Sequence, residues 1–241
     1  MFYINTACGR IPPYTVTMFS AFILGIGLLY LCNRKDGIPK QIAGFLVLLS
    51  PVMILSCAAG LTWLSSGGSS FGFSSLGALF GMYLSAAVMG VIRGKRDALF
   101  IMPENCTFVL PLMYGVSKLG CFLAGCCRGI PYSGICSVIY TADGTVQEPV
   151  FPVQLAESAL FLLIFAAGML LRRRHRREAV RSVFLFSAAA KGLLDFLRAE
   201  HRGKLLSLNQ ILCLALIAAG LLLIRIQKGN GAWRKDSAQS V

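Results

Sequence analysis

The sequence predicts an all-α, polytopic membrane protein of seven transmembrane helices, with its N-terminus outside and its C-terminus in the cytoplasm. Three observations carry that prediction. Of 241 residues, 56% are hydrophobic and only 14% charged, with a mean hydropathy of +0.70. The stretch from Gln41 to Ile92 holds no Asp, Glu, Lys or Arg, enough for two spans of about 20 residues each. Basic residues recur in alternate loops, as the positive-inside bias requires.

Apolar stretches of spanning length divide the chain in order: Tyr14 to Cys32, Gln41 to Leu61, Ser74 to Ile92, Cys106 to Cys127, Pro152 to Leu171, Ser182 to Arg198 and Leu205 to Ile224. The first is long enough to span and only Arg10 precedes it, so it reads as a retained helix rather than a cleaved leader. Arg34, Lys35 and Lys40 follow it. The Ser-Ser-Gly-Gly-Ser-Ser loop after the second span is uncharged, and Arg93, Lys95 and Arg96 follow the third. The loop from Arg128 to Phe151 is long and nearly neutral. Arg172 to Arg177, with His175 inside it, is the strongest cationic cluster and fixes the cytoplasmic face. Arg202 and Lys204 sit on the wrong side of this frame, partly offset by Glu200. One seven-helix domain over residues 1–228 and a short cytoplasmic tail over 229–241 result.

The net charge of +13 is accounted for by topogenic loops and contact with anionic lipid; no nucleic-acid-binding signature is present. The nine cysteines show no zinc-site spacing, and most read as small apolar helix residues. No metal or cofactor is called for. Cys126 or Cys127 could join Cys136 in a disulfide if the long loop meets an oxidising exterior.

Charges inside a span are costly and face protein or a wet cavity. Three segments carry them. Lys118 lies in Ser117–Pro131, where Gly120, Gly125 and Gly129 allow close backbone approach; it reads equally as a ligand site or as the partner of an acid on another helix. Gln154 and Glu157, three apart after Pro152, share one face of the fifth span and suit interhelical hydrogen bonding or catalysis. Lys191, Asp195 and Arg198 fall at i, i+4 and i+7, one stripe of the sixth span, with a Lys191–Asp195 ion pair as the plain alternative.

In this order and spacing the three segments resemble the prolipoprotein diacylglyceryl transferase family, whose patterns read approximately G-R-x-G-N-F-x-N-G-E-x-x-G-x-P, H-P-x-Q-L-Y-E and R-x-x-x-E-x-x-R. Gly120, Phe122, Gly125, Gly129, Pro152, Gln154, Leu155, Glu157 and Arg198 agree. Lys118 stands for an arginine, Cys121 and Ala124 for asparagines, Cys126 for an acid, Lys191 for an arginine and Asp195 for a glutamate. Phe151 and Phe73 occupy two histidine positions.

The resemblance implies transfer of a diacylglyceryl group from phosphatidylglycerol to the cysteine thiol of a prolipoprotein signal peptide, in the bacterial plasma membrane. Lys118, Lys191, Glu157 and Asp195 would be its catalytic residues. Lys118, Cys121, Gly129, Gln154, Lys191 and Arg198 would contact lipid. The rivals are a related transferase with another acceptor and a non-catalytic lipid-binding or transport protein. Lys118 and Lys191 are expected to face one cavity and share a phosphate, which relieves their mutual repulsion. Their loss should abolish transfer, and that of the Glu157 charge should cost less.

Overall fold

The computed structural model describes residues 4–6, 9–69, 72–94, 96–142, 145–199 and 205–239. Seven helices follow in order among them: α1 (Pro13–Lys35), α2 (Lys40–Ser65), α3 (Ser75–Arg93), α4 (Arg96–Ala124), α5 (Val153–Arg172), α6 (Arg176–Asp195) and α7 (Leu208–Gln239). Two short antiparallel hairpins, β1 (Ile4–Thr6) with β2 (Gly9–Ile11) and β3 (Thr141–Ala142) with β4 (Thr145–Val146), interrupt the helical reading.

Helix boundaries follow local chemistry. Pro13 opens α1, where its missing N–H is not needed, and Arg34 and Lys35 close it against the negative end of the helix dipole. Ser74 caps α3 by accepting from the Gly77 N–H, and Gly94 ends that helix in the left-handed region at φ 67°. Pro51, Pro103 and Pro111 lie inside helices that continue through them. In a span, neighbouring helices and side chains compensate the lost backbone bond.

Five helices are long and apolar enough to cross a membrane, α1 to α3, residues 99–124 of α4, and α5. The protein is a polytopic membrane protein on that count. Helix α6 carries Arg176, Arg177, Glu178, Arg181, Lys191 and Asp195, and the apolar part of α7 within the described residues is the shorter Leu208–Leu222. The fourth span starts ten residues earlier than expected because the apolar Leu99–Met102 run precedes Pro103 without breaking the helix. The sixth begins at Arg176 and stops at Asp195, so Arg198 is off the helix and the expected i, i+4, i+7 stripe ends at its second member. Arg202, Lys204, Glu200 and Lys95, which entered the charge reading, lie outside the described residues.

Helix α4 is central, packing on α1, α3, α5 and α6. The main core joins α1 to α4 through Leu29, Leu46, Ile54, Met82, Met102, Cys106 and Val109. Helix α3 lies close on α2 because Gly77 and Gly81 face the carbonyls of Cys57 and Met53; a Cβ at either position would collide with backbone. A smaller cluster of Phe108, Ala179 and Val183 seats α6 against α4.

Ions tie one end of the bundle. Asp36, after α1, takes Arg172 at 2.7 Å and Arg176 at 2.9 Å, and Arg176 also reaches Glu104 at 2.8 Å. Asn105 donates to Asp36 and to Asn33. Two of the arginines read as a topogenic cluster therefore also lock α5 and α6 to the α1–α2 turn.

Candidate functional site

At the opposite end, three charged segments meet around one aromatic hydroxyl. Tyr114 sits one turn before Lys118 on α4, so both side chains leave the same face. Its ring packs on Phe161 of α5 at 4.4 Å between centroids. Its hydroxyl donates to Glu157 Oε1 at 2.9 Å and accepts from Lys191 Nζ at 3.1 Å and Arg198 Nη2 at 3.3 Å. Both lysine ammoniums also lie over the Tyr114 ring, at 5.0 Å for Lys118 and 4.7 Å for Lys191.

Glu157 is the charge centre. It is fully buried and takes Lys118 on Oε2 at 2.9 Å and Arg198 on Oε1 at 2.5 Å. Asp195 is held apart from it, accepting from Ser207 and from Asn209 at 3.4 Å and lying 3.8 Å from Arg198 Nε. Arg198 Nε itself has no hydrogen-bond partner among the described residues, although the side chain is nine-tenths buried. Three buried cations thus face two carboxylates, which leaves one positive charge in excess. A buried excess charge is unfavourable until an anion joins it.

The chain delivers Arg198 by backbone rather than by helix. After Asp195 a turn leads into a bridge between Gly129 and Arg198, with Ile130 N bonded to Leu197 O at 3.0 Å and Ala199 N to Arg128 O at 3.0 Å. Phe151 N bonds to Ile130 O at 3.0 Å on the other side. Gly129 is required where these segments close up, since a Cβ there would strike the Phe151 carbonyl oxygen. Gln154 adds a bond from Nε2 to Cys126 O at 2.7 Å, tying the start of α5 to the end of α4.

All the expected charged residues therefore gather, but with different partners. Of the two readings the sequence allowed for Lys118, the structure shows the pairing with an acid on another helix, Glu157 on α5. Glu157 and Tyr114 relieve the repulsion between Lys118 and Lys191. The Lys191–Asp195 pair gives way to Lys191 on Tyr114 and Asp195 on Ser207. Gly129 and Gln154 act on backbone. Cys121 is buried and joined by Cys126 and Cys127, whose sulfurs lie within 4.8 Å of one another and of Cys121 Sγ. The linear spacing concealed that grouping. Cys126, Cys127 and Cys136 are free thiols, so the anticipated disulfide is not formed.

Sequence reasoning missed Tyr114. The available signal was its i, i+4 relation to Lys118 on a span.

Residues 4–226 match the family described as prolipoprotein diacylglyceryl transferase. The chain belongs to that family. Two curated relatives are a phosphatidylglycerol–prolipoprotein diacylglyceryl transferase 2 of Clostridium perfringens (strain 13 / Type A), 28% identical over 70% of this chain, and a phosphatidylglycerol–prolipoprotein diacylglyceryl transferase of Clostridium tetani (strain Massachusetts / E88), 27% identical over 65%. The alignments cover 66% and 65% of those relatives' own lengths. Of the two residues that the resemblance sets at histidine positions in this prolipoprotein diacylglyceryl transferase family member, Phe73 is exposed and Phe151 closes the Gly129 bridge with its backbone. His175, at the N-cap of α6, lies a helix length of about 30 Å from Asp195.

Proposed function

We propose that the protein transfers a diacylglyceryl group from phosphatidylglycerol to the cysteine thiol of a prolipoprotein signal peptide, in the bacterial plasma membrane. The observation that carries the reading is the excess positive charge of the Lys118, Lys191 and Arg198 cluster against Glu157 and Asp195. A phosphodiester headgroup brings the single negative charge that balances it. As the leaving glycerol phosphate gains charge, cations already fixed by Glu157 and Tyr114 stabilise it without reorganising. The partly free Arg198 guanidinium is suited to a phosphate oxygen, since its planar fork keeps donors to spare. The site lies in a seven-helix domain over residues 1–228 with the N-terminus outside, and residues 229–241 form a cytoplasmic tail. On this frame the cluster faces the outer half of the bilayer.

The test is incubation of the purified protein with labelled phosphatidylglycerol and a lipobox peptide. Label on the peptide sulfur supports the reading; phosphatidylglycerol binding without transfer supports a lipid-binding protein instead. The second reading is favoured by the phenylalanines at positions 73 and 151, which leave the cluster without a nearby imidazole among the described residues.

A further inference from the structure

At the end of α4 the chain folds two thiols back over a third. Helix α4 stops at Ala124, Gly125 turns left-handed at φ 69°, and Cys126 N bonds to Cys121 O at 3.1 Å. Cys127 then adopts φ 52°, and among the described residues no other non-glycine has a positive φ. A side chain costs energy there, and such strain persists only where the surroundings fix it. The Sγ atoms of Cys121, Cys126 and Cys127 end within 4.8 Å of one another, with Cys121 buried, Cys127 half-buried and Cys126 exposed. All three are free thiols.

The exposed Cys126 leaves a way in to the group. Lys118 lies one turn before Cys121 on α4. Tetrahedral zinc at about 2.3 Å from each sulfur sets the sulfurs about 3.8 Å apart. The observed grouping reaches that spacing by closing at most about 1 Å, within the reach of cysteine side-chain rotation. All-sulfur donors select a soft ion over magnesium or calcium.

We propose that Cys121, Cys126 and Cys127 hold a zinc ion through three thiolates, with the fourth tetrahedral position open to an incoming thiol. Three protein ligands with one open position is the arrangement of reactive rather than structural zinc sites. The identity of the incoming thiol rests on the transferase reading above: it is the acceptor cysteine. On coordination the acceptor S–H gives its proton to water. Its sulfur lone pair then forms the C–S bond to the glyceryl carbon as the C–O bond to phosphate breaks, and glycerol phosphate leaves with that electron pair. The metal would so supply the thiolate that the residues at positions 73 and 151, being phenylalanines, do not.

The full-length protein in detergent micelles, purified without chelator and given Zn²⁺ alone, tests this by metal analysis. The expected result is one zinc per chain, a sulfur-to-metal charge-transfer absorption on Co²⁺ replacement, and at least tenfold weaker binding in Cys121→Ser, Cys126→Ser and Cys127→Ser, with Cys136→Ser unchanged. Protein that takes up no stoichiometric zinc, or whose peptide mass shows a disulfide among the three cysteines, overturns the site. Between pH 7 and 8.5 an acceptor thiol ionising on its own would raise the transfer rate about fifteenfold; the zinc-loaded protein is expected to stay flat. Full transfer by the zinc-free triple serine variant sinks this inference and leaves the transferase reading standing. Zinc bound with no transfer of lipid does the reverse: the metal site stands, and the transferase reading and the acceptor role fall.

Discussion

The Tyr114 hydroxyl donates to Glu157 across 2.9 Å, and that one bond decides which way the phenol points. With its proton committed to the carboxylate, the oxygen turns its lone pairs toward Lys191 and Arg198. A neutral residue thereby links an acid on α5 to two cations that arrive from α6 and the turn beyond it.

Tyr114→Phe keeps the ring under both ammoniums and removes only this link. Two buried donors then lose an acceptor, a cost of about 1–3 kcal/mol. The expected outcome is a transfer rate lowered by roughly ten- to a hundredfold, with phosphatidylglycerol binding weakened less. Kinetics of the purified variant beside its lipid affinity check the split.

Glu157→Gln is expected to be as damaging as Lys118→Ala, in contrast to the milder effect that its place on a helix face suggested. Removing the carboxylate charge leaves Lys118 and Arg198 buried against each other, and breaking such a pair costs about 3–5 kcal/mol. Thermal unfolding in micelles should show a clear drop for Glu157→Gln. Lys118→Ala removes a cation instead and should lower transfer by about 10² or more. Wild-type stability in Glu157→Gln would show that the carboxylate is not the charge centre.

Asp36→Asn probes the other end of the bundle. It deprives Arg172 and Arg176 of their shared acid, and because Arg176 is part-exposed the loss is expected at about 1–3 kcal/mol. Glu157 lies fifteen residues up α5 from Arg172, about 22 Å away. Folded Asp36→Asn protein should therefore transfer lipid at the wild-type rate while melting earlier, a combination that calorimetry and the peptide assay read together.

The seven-span frame predicts the accessibility of two exposed positions. In a Cys126→Ser background, Cys136 should react with an impermeant thiol reagent added to intact cells, whereas Arg174→Cys should react only after lysis. Labelling of Arg174→Cys in intact cells would invert the topology.

What could be seen in the sequence was cost, and what could not was partnership. Lys118, Glu157, Lys191 and Asp195 stood out because hydrocarbon penalises each of them, so the need of each for a buried partner was legible without coordinates. Tyr114 was not, since a tyrosine in an apolar helix looks like any other core aromatic until its hydroxyl is given neighbours. Arg198 was assigned to a helix face because its spacing from Lys191 fits the helical period; the helix ends three residues short, and a backbone bridge does the placing. The cysteine trio escaped for a related reason. Its geometry depends on two residues of positive φ, Gly125 and Cys127, on either side of Cys126, which no ligand-spacing rule encodes.

The bridge between Gly129 and Arg198 spans nearly seventy residues of chain, and it sets the order in which the site can be completed during synthesis. Lys118 and Glu157 emerge early enough to meet once α4 and α5 are inserted, and as a neutral pair they can wait in the bilayer at low cost. The guanidinium arrives only after α6 has turned back and the segment beyond it, residues 197–199, has docked on residues 128–130. A nascent chain released before that point carries a paired but uncharged pocket, so binding of an anionic headgroup becomes a reporter of completed insertion rather than of the individual helices.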